Sequence, residues 1–482
     1  MQTTQSSRAS ELAALGSVVI EAPTISMCPF PLGRKGSMMD AVWLDSYEIR
    51  RRRRAPADAR VGLLPLLHRL ATMSVMGMLV LLPIQAIDLP LNMAPVDVWN
   101  LIGLPLVWIY LLVARRHVQL PYIQAMWMIA LGSVISMFWA RDPSTASVVV
   151  AKEVYLYVWF VSVAALLAQA NAQTRQSLLI VWAGTVVLHG IVIVVEFLSA
   201  DVWHMLASFF GSLGKVEVIR PPGLFDNANG AGFYQLMGFV PVALSCSSVL
   251  LGVLFGLGLV LSIVGTGSLG ATAGLLAGTV VAIVAKVATG GRRKGLYGTV
   301  VWLFVIAALL LGIHAFAAAR VPDYEERLAY FFYGRAERSA TGRIGLWESG
   351  ISALWSPQSL WGSGPGNVTD PVTGKTLHND LLAFALERGV LGFLGLLVFG
   401  AIATYKALRI VSGASGRLPE AVFLAVVVAG LVDSSFHQVF HERAFWLVLA
   451  AQEAALWRTI ALKKGLSARV ARGVPSTRFR AR

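Results

Sequence analysis

The chain has 482 residues, of which 56% are hydrophobic and only 14% charged. A soluble domain carries about a quarter of its residues as Asp, Glu, Lys and Arg, so the composition excludes an ordinary water-soluble enzyme and indicates an all-α polytopic membrane protein. The net charge of +14 does not require a nucleic-acid partner, because basic loops and tails flanking spans set topology and meet anionic membrane lipids.

Residues 1–60 are polar, Ser- and Arg-containing and without sustained periodicity, which predicts a disordered basic cytoplasmic tail rather than a cleavable signal. From there apolar runs of about 17–25 residues recur, the length of a membrane-crossing helix. The expected spans are 66–86, 98–114, 121–140, 148–169, 177–198, 231–249, 250–266, 268–288, 297–317, 380–405, 419–434 and 443–462. Twelve spans place the basic clusters at Arg50 to Arg54, Arg115-Arg116, Arg175, Lys286 with Arg292-Arg293-Lys294, Lys406 with Arg409, and the tail 463–482 on one side. By the positive-inside tendency that side is the cytoplasm, and it holds both termini. The nine spans within 61–317 are then separated from the last three, within 380–462, by a long extracytoplasmic loop, 318–379. A shorter extracytoplasmic segment occupies 199–230. Cys28 and Cys246 give neither a disulfide framework nor zinc spacing.

The two extracytoplasmic segments hold most of the polar chemistry. Loops this long are functional or disordered, and Phe331-Phe332, Trp347, Trp355 and Trp361 argue against disorder. Thr341 to Trp355 has helical periodicity, with Ile344, Trp347, Ile351 and Leu354 on one face, suited to a membrane interface or to the span bundle. Trp361-Gly-Ser-Gly-Pro-Gly-Asn367 reads as a turn that brings backbone close to a neighbour. Arginines here depart from the positive-inside tendency. Some of Arg320, Arg327, Arg335, Arg338 and Lys375 pair with Asp323, Glu325, Glu326 and Glu337, so that several are solvated ion pairs. Arg220 and Arg343 have fewer such neighbours, and a guanidinium fork matches phosphate oxygens. His378-Asn379-Asp380 opens a span with Glu387 two turns further in, and ionisable groups at membrane depth are functional candidates.

Other signals have plainer readings. Gly265-Thr-Gly-Ser-Leu-Gly270 imitates a dinucleotide loop but lacks a preceding soluble strand. Its continuation at Gly274 and Gly278 is the small-residue spacing of close helix packing. Asp433, His437 and His441 lie four apart, which permits metal ligation, a substrate-lining role or simple interfacial polarity. Lys152 and Glu153 are expected to neutralise each other, Glu196 to line a cavity unpaired, and His189 to be a satisfied core histidine.

Four segments together carry a family resemblance: Arg220-Pro-Pro-Gly-Leu-Phe-Asp-Asn-Ala-Asn229, Ser339-Ala-Thr-Gly-Arg343 followed by Trp347, Gly362-Ser-Gly-Pro-Gly366, and His378-Asn379 with Gly389 and Gly392. They resemble the O-antigen ligase and polysaccharide polymerase family of bacterial inner membranes, whose members have about twelve helices. Where many relatives carry Ser-Arg after the seventh span, this chain has Ser268-Leu269.

The resemblance implies a metal-independent glycosyltransferase without cofactor, acting at the periplasmic face. Its donor would be an undecaprenyl-diphosphate-linked glycan, and its acceptor another glycan for a polymerase or the lipid A core for a ligase. By position, Arg220 and Arg343 would hold the diphosphate and His378 would deprotonate or orient the acceptor hydroxyl. Asn227, Asn229, Asn379, Asp380, Arg338 and Glu387 complete the candidate substrate-binding set. The polymerase is the preferred reading. A twelve-helix secondary transporter is the rival from another class, although no half-to-half repeat is visible and the polar groups gather at one face.

Overall fold

Apolar, Gly- and Ala-rich runs with few charges can satisfy their backbone in hydrocarbon only by folding into helices, and the computed structural model shows that outcome. It describes residues 60–85, 87, 93–199, 220–246, 248–288, 318, 335–368, 377–413 and 418–470. In chain order the helices are α1 (Arg60–Leu81), α2 (Pro95–Val113), α3 (Ile123–Met137), α4 (Pro143–Gln169), α5 (Ala172–Leu198), α6 (Ala228–Met237) and α7 (Phe239–Ser245). Then follow α8 (Val249–Thr266), α9 (Leu269–Ala288), α10 (Arg335–Ala353), α11 (Asp380–Gly413), α12 (Leu418–Asp433) and α13 (Arg443–Val470). Short 3₁₀ turns occupy Pro357–Leu360 and Val439–His441.

Five of these helices, α1, α2, α4, α5 and α11, are long and apolar enough to cross a membrane, and α3, α8, α9 and α12 are shorter apolar helices. The architecture is that of a multi-pass membrane protein. The expected spans coincide with described helices except 297–317, which lies outside the described residues, as do the tail 1–59, residues 200–219 and 319–334, and Lys375. The expected span 231–249 is not one helix: α6 and α7 are separate pieces meeting at Gly238.

Helix ends are written in the sequence. Asp142 caps α4, its Oδ1 accepting from the Ser144 and Thr145 amides at 3.0 and 3.2 Å. The Thr145 and Ser144 hydroxyls, and behind them these amides, hold the Asp142 carboxyl down at about 2. Asn171 and Asn227 cap α5 and α6 through the Thr174 and Gly230 amides.

The glycine stripe on α9 packs as its spacing predicts. A Cβ at Gly274 would meet the Ala429 carbonyl oxygen at 2.7 Å, and one at Gly278 the Ala425 carbonyl oxygen at 2.7 Å, so α9 and α12 touch backbone to backbone. Gly132 of α3 meets Gly392 of α11 in the same way.

The turn-rich segment 361–367 finds its neighbour in α11, which is broken at Gly389 (φ 65°, ψ −167°). The Ser363 and Gly364 amides donate to the carbonyls of Leu386 and Glu387, each at 2.9 Å, satisfying acceptors that the break releases. Gly362, at φ 86°, lies so close that a Cβ would meet the Glu387 carbonyl oxygen at 2.4 Å. Asn367 fastens the other side, its side chain accepting from the Asp142 amide at 2.7 Å. Trp361 stacks on Trp139 with ring centroids 5.9 Å apart; both are exposed, as are Phe138 and Trp355, in the manner of an interfacial aromatic belt. On α10 the expected apolar face divides. Trp347 turns inward to Phe436, 5.9 Å between centroids, whereas Ile344 and Ile351 are exposed.

Gly274→Leu is expected to force α9 from α12 and destabilise the fold by about 1–3 kcal/mol. Gly258→Leu, on α8 with open space around it, leaves the melting temperature in detergent unchanged. Equal melting of the two variants would refute the close packing.

Candidate active site

One end of the bundle gathers the charged groups that an apolar chain can least cheaply bury. It is formed by the starts of α2, α4, α6, α9, α11 and α13 and the ends of α8 and α12. At its centre lies the connection from Asp433 to Arg443.

This connection is held from several sides. The Asp380 amide donates to the Ser434 carbonyl at 2.8 Å, and the Phe440 amide donates to Asp380 Oδ2 at 3.0 Å. Gln438 Nε2 donates to the Leu377 carbonyl at 3.4 Å. Trp446 Nε1 donates to the Phe440 carbonyl at 2.8 Å. The Asp433 carboxylate is buried against Gly270, where a Cβ would collide with Oδ1. Gly267 and Gly270 therefore serve the site as well as the helix contact.

Two imidazole–carboxylate pairs occupy the connection. His437 Nε2 and Glu442 Oε1 are 2.9 Å apart, and His441 Nε2 and Glu153 Oε1 are also 2.9 Å apart. Burial pulls the His437 imidazole down, but the Glu442 hydrogen bond and charge, with Asp433 and Asp380 behind, carry it up to about 9. Burial pushes the Glu442 carboxyl up, yet the His437 bond and charge, with Lys152 and Arg443, hold it below the ordinary value.

Beneath the pairs, Arg388 is fully buried. It bonds Glu153, meets Glu387 Oε2 at 3.1 Å, and lies over the Phe384 ring at 3.9 Å. The Glu387 carboxylate also accepts from the Gly366 amide. Glu153 is therefore not neutralised by Lys152, as expected from sequence. Successive helix positions point about 100° apart, so Lys152 is exposed while Glu153 turns inward. Glu196 is likewise not unpaired, because the Gly223 amide donates to its Oε2 at 2.9 Å. His189 is the core histidine expected, buried and 2.8 Å from Gln235 Nε2. At the rim, Arg443 bonds Asp97 through Nε at 3.0 Å, and the Tyr155 hydroxyl donates to the same carboxylate at 2.8 Å.

The candidate substrate residues have partners of their own. Arg220 donates from Nε to the Thr266 carbonyl and from Nη2 to the Gly267 carbonyl, both at 3.1 Å, and to Asn229 Oδ1 at 2.7 Å. A guanidinium on the last carbonyls of α8 is well placed against the helix dipole. Arg343 is half-buried, its Cζ 5.9 Å above the Phe436 ring, and its charge reaches Asp433. His378 and Asn379 precede α11, where Asn379 Oδ1 caps the helix by accepting from the Leu382 amide at 3.1 Å. Asn227 is spent on the α6 cap and Asn229 on Arg220. Asp380 holds the Phe440 amide and Glu387 the Arg388 guanidinium. Arg338 falls in α10, and its side chain lies outside the described residues.

Sequence reading missed the Glu153–Arg388–His441 assembly. Its signal was present, since Arg388 follows Glu387 inside an expected span, and an arginine there demands partners. Which carboxylate would answer, from a helix 235 residues away, no local pattern states.

Replacing Arg388 by Leu leaves two carboxylates buried without their cation, which costs about 3–5 kcal/mol. Arg388→Leu is expected to melt well below wild type in detergent, and unchanged melting would contradict the pairing. His437 gives a pH test. Its folded value lies above the usual 6.5, so the Glu442 pairing stabilises fully below 6.5 and is lost as pH rises through about 9. His437→Gln is expected to flatten that part of the melting profile; an identical profile in both proteins would refute it.

Residues 251–397 fit the family model described as O-antigen ligase, a stretch covering α8, α9, α10, the glycine turn and the first half of α11. It includes Arg343 and His378 but not Arg220. No curated protein matches the chain. Over this stretch, under a third of its length, the chain is similar to the O-antigen ligases, and the match supports its assignment to the O-antigen ligase and polymerase family.

Proposed function

We propose that the protein is an inner-membrane glycan transferase working at the extracytoplasmic face, with an undecaprenyl-diphosphate-linked glycan as donor and a glycan hydroxyl as acceptor, which makes it a polysaccharide polymerase. The observation that carries this reading is that Arg343 and the start of α11, both inside the stretch that fits the family, each meet the connection Asp433 to Arg443.

The chemistry follows from those groups. The anomeric carbon–oxygen bond to the diphosphate breaks, and the leaving diphosphate takes the electron pair. Arg343 and Arg220 are fixed cations where that charge appears, and preorganised charge in a water-poor site lowers the barrier. The acceptor hydroxyl oxygen forms the new bond to the anomeric carbon. Its proton passes to the His378 imidazole, a base suited to neutral pH, and from there to solvent. Arg220 spends Nε and Nη2 on two carbonyls and Asn229, so its contribution is a charge held in place rather than a bidentate fork.

The ligase description of the matched stretch motivates a second reading, an O-antigen ligase whose acceptor would be the lipid A core. Glycan analysis of a deletion strain separates the two: single-repeat capping with lost chain length marks a polymerase, and polymer stranded on its carrier marks a ligase.

In proteoliposomes with a defined lipid-linked oligosaccharide, Arg343→Ala and His378→Ala are each expected to lower the transfer rate by about 10²–10⁴-fold, the range of general base or charge-stabilising groups. Normal transfer by the double variant would overturn the assignment.

A further inference from the structure

The outer end of α5 carries a buried carboxyl that the chemistry above does not use. An ionisable group at that depth is costly and is kept for a purpose. Glu196 is buried, and its Oε2 accepts from the Gly223 amide at 2.9 Å. Gly223 closes the segment Arg220-Pro221-Pro222-Gly223. Proline has no backbone N–H, so Gly223 offers the first backbone donor after Arg220 itself. Glu196 takes that donor.

Helix α5 is shaped to receive this turn. His189, Ile193 and Glu196 follow at intervals of four and three residues, which sets them on one helix face. Gly223 has φ 61°, and a Cβ there would fall 2.4 Å from His189 Nε2 and 3.0 Å from Ile193 Cγ1. His189 is itself held by Gln235, whose Oε1 accepts from the Ser262 hydroxyl at 3.0 Å. Its ring meets Phe225 with centroids 5.1 Å apart. Just past the turn, the Gln85 amide donates to the Leu224 carbonyl at 2.8 Å. At the other end, Arg220 grips the last carbonyls of α8. The short segment is thus fastened to α5 at one end and to α8 at the other, and the place of the guanidinium depends on both.

We propose that Glu196 is a positioning residue for the transfer reaction: through the Gly223 amide it fixes the Pro-Pro-Gly turn, and with it the Arg220 guanidinium, where the diphosphate leaves. The inference rests on the transferase reading above. The contact is one amide to one oxygen, so an accepting oxygen, and not a charge, is the property required. Glutamine supplies that oxygen and leucine does not.

Full-length protein in proteoliposomes, with a defined lipid-linked oligosaccharide donor, gives the kinetic test. Glu196→Leu is expected to lower kcat/KM for the donor by about 10²-fold, the cost of an ångström-scale misplacement, with the acceptor KM unchanged. Glu196→Gln is expected to retain the wild-type value. In an Arg220→Ala background Glu196→Leu is expected to cost nothing further, because residues that act through one another are not additive. Additive losses, a glutamine variant as impaired as the leucine one, or a rise confined to the acceptor KM would overturn the proposal. Hydrogen exchange reads the tether without chemistry. The amides from Gly223 to Asp226 are expected to exchange at least about tenfold faster in Glu196→Leu than in wild type, through local opening, and at the wild-type rate in Glu196→Gln. Wild-type exchange in the leucine variant would overturn the proposal. If Glu196→Leu fails to insert, Glu196→Asp, one methylene short of the amide, replaces it in both arms with the same directions expected. The expected exchange pattern in a protein whose wild type transfers no glycan would uphold the tether and refute the transferase reading.

Discussion

Arg388 is the constraint around which the site is arranged. A guanidinium inside an apolar bundle costs too much to stay unless carboxylates answer it, and Glu153 from α4 and Glu387 from its own helix do so. That triad pins α4 to α11. Helix α11 breaks immediately afterwards at Gly389, and the glycine turn 361–367 enters the break, donating to the carbonyls of Leu386 and Glu387. The Gly366 amide completes the Glu387 carboxylate. A loop distant in sequence is thus tied to membrane helices by backbone bonds, and α10, which carries Arg343, directly precedes that loop.

From this anchor the hub follows. His441 takes the second role on Glu153, and four residues earlier His437 takes Glu442. The connection Asp433 to Arg443 is therefore tied by charge toward its C-terminal end, to Glu153 and Asp97, and elsewhere by the Asp380 and Phe440 bonds. Carboxylates, imidazoles and the Arg343 guanidinium thus meet at one place.

Much of this was legible in the chain, for specific reasons. Span positions follow from apolar length alone, and α9 against α12 from small residues at Gly270, Gly274 and Gly278. The close approach of the glycine turn was readable from its composition, although not its target. Two kinds of feature were not readable. Pairings across the fold, such as Glu153 with Arg388 and Arg443 with Asp97, depend on helix neighbours that hydropathy does not order, and adjacency in sequence pointed wrongly to Lys152. The structural duties of polar side chains at helix starts were equally hidden. Asn227 and Asn379 satisfy helix amides and Asn229 satisfies Arg220, because orphan backbone groups at an apolar helix end claim the nearest oxygen first.

We propose that this hub faces away from the cytoplasm and meets the donor there. Ser435, near the start of the connection and only partly buried, tests that orientation directly once Cys28 and Cys246 are replaced and Ser435→Cys is introduced. In intact cells a membrane-impermeant thiol reagent is expected to label this position, and lipid-linked glycan is expected to slow the labelling. Labelling that appears only after the cytoplasmic side is opened would contradict the account.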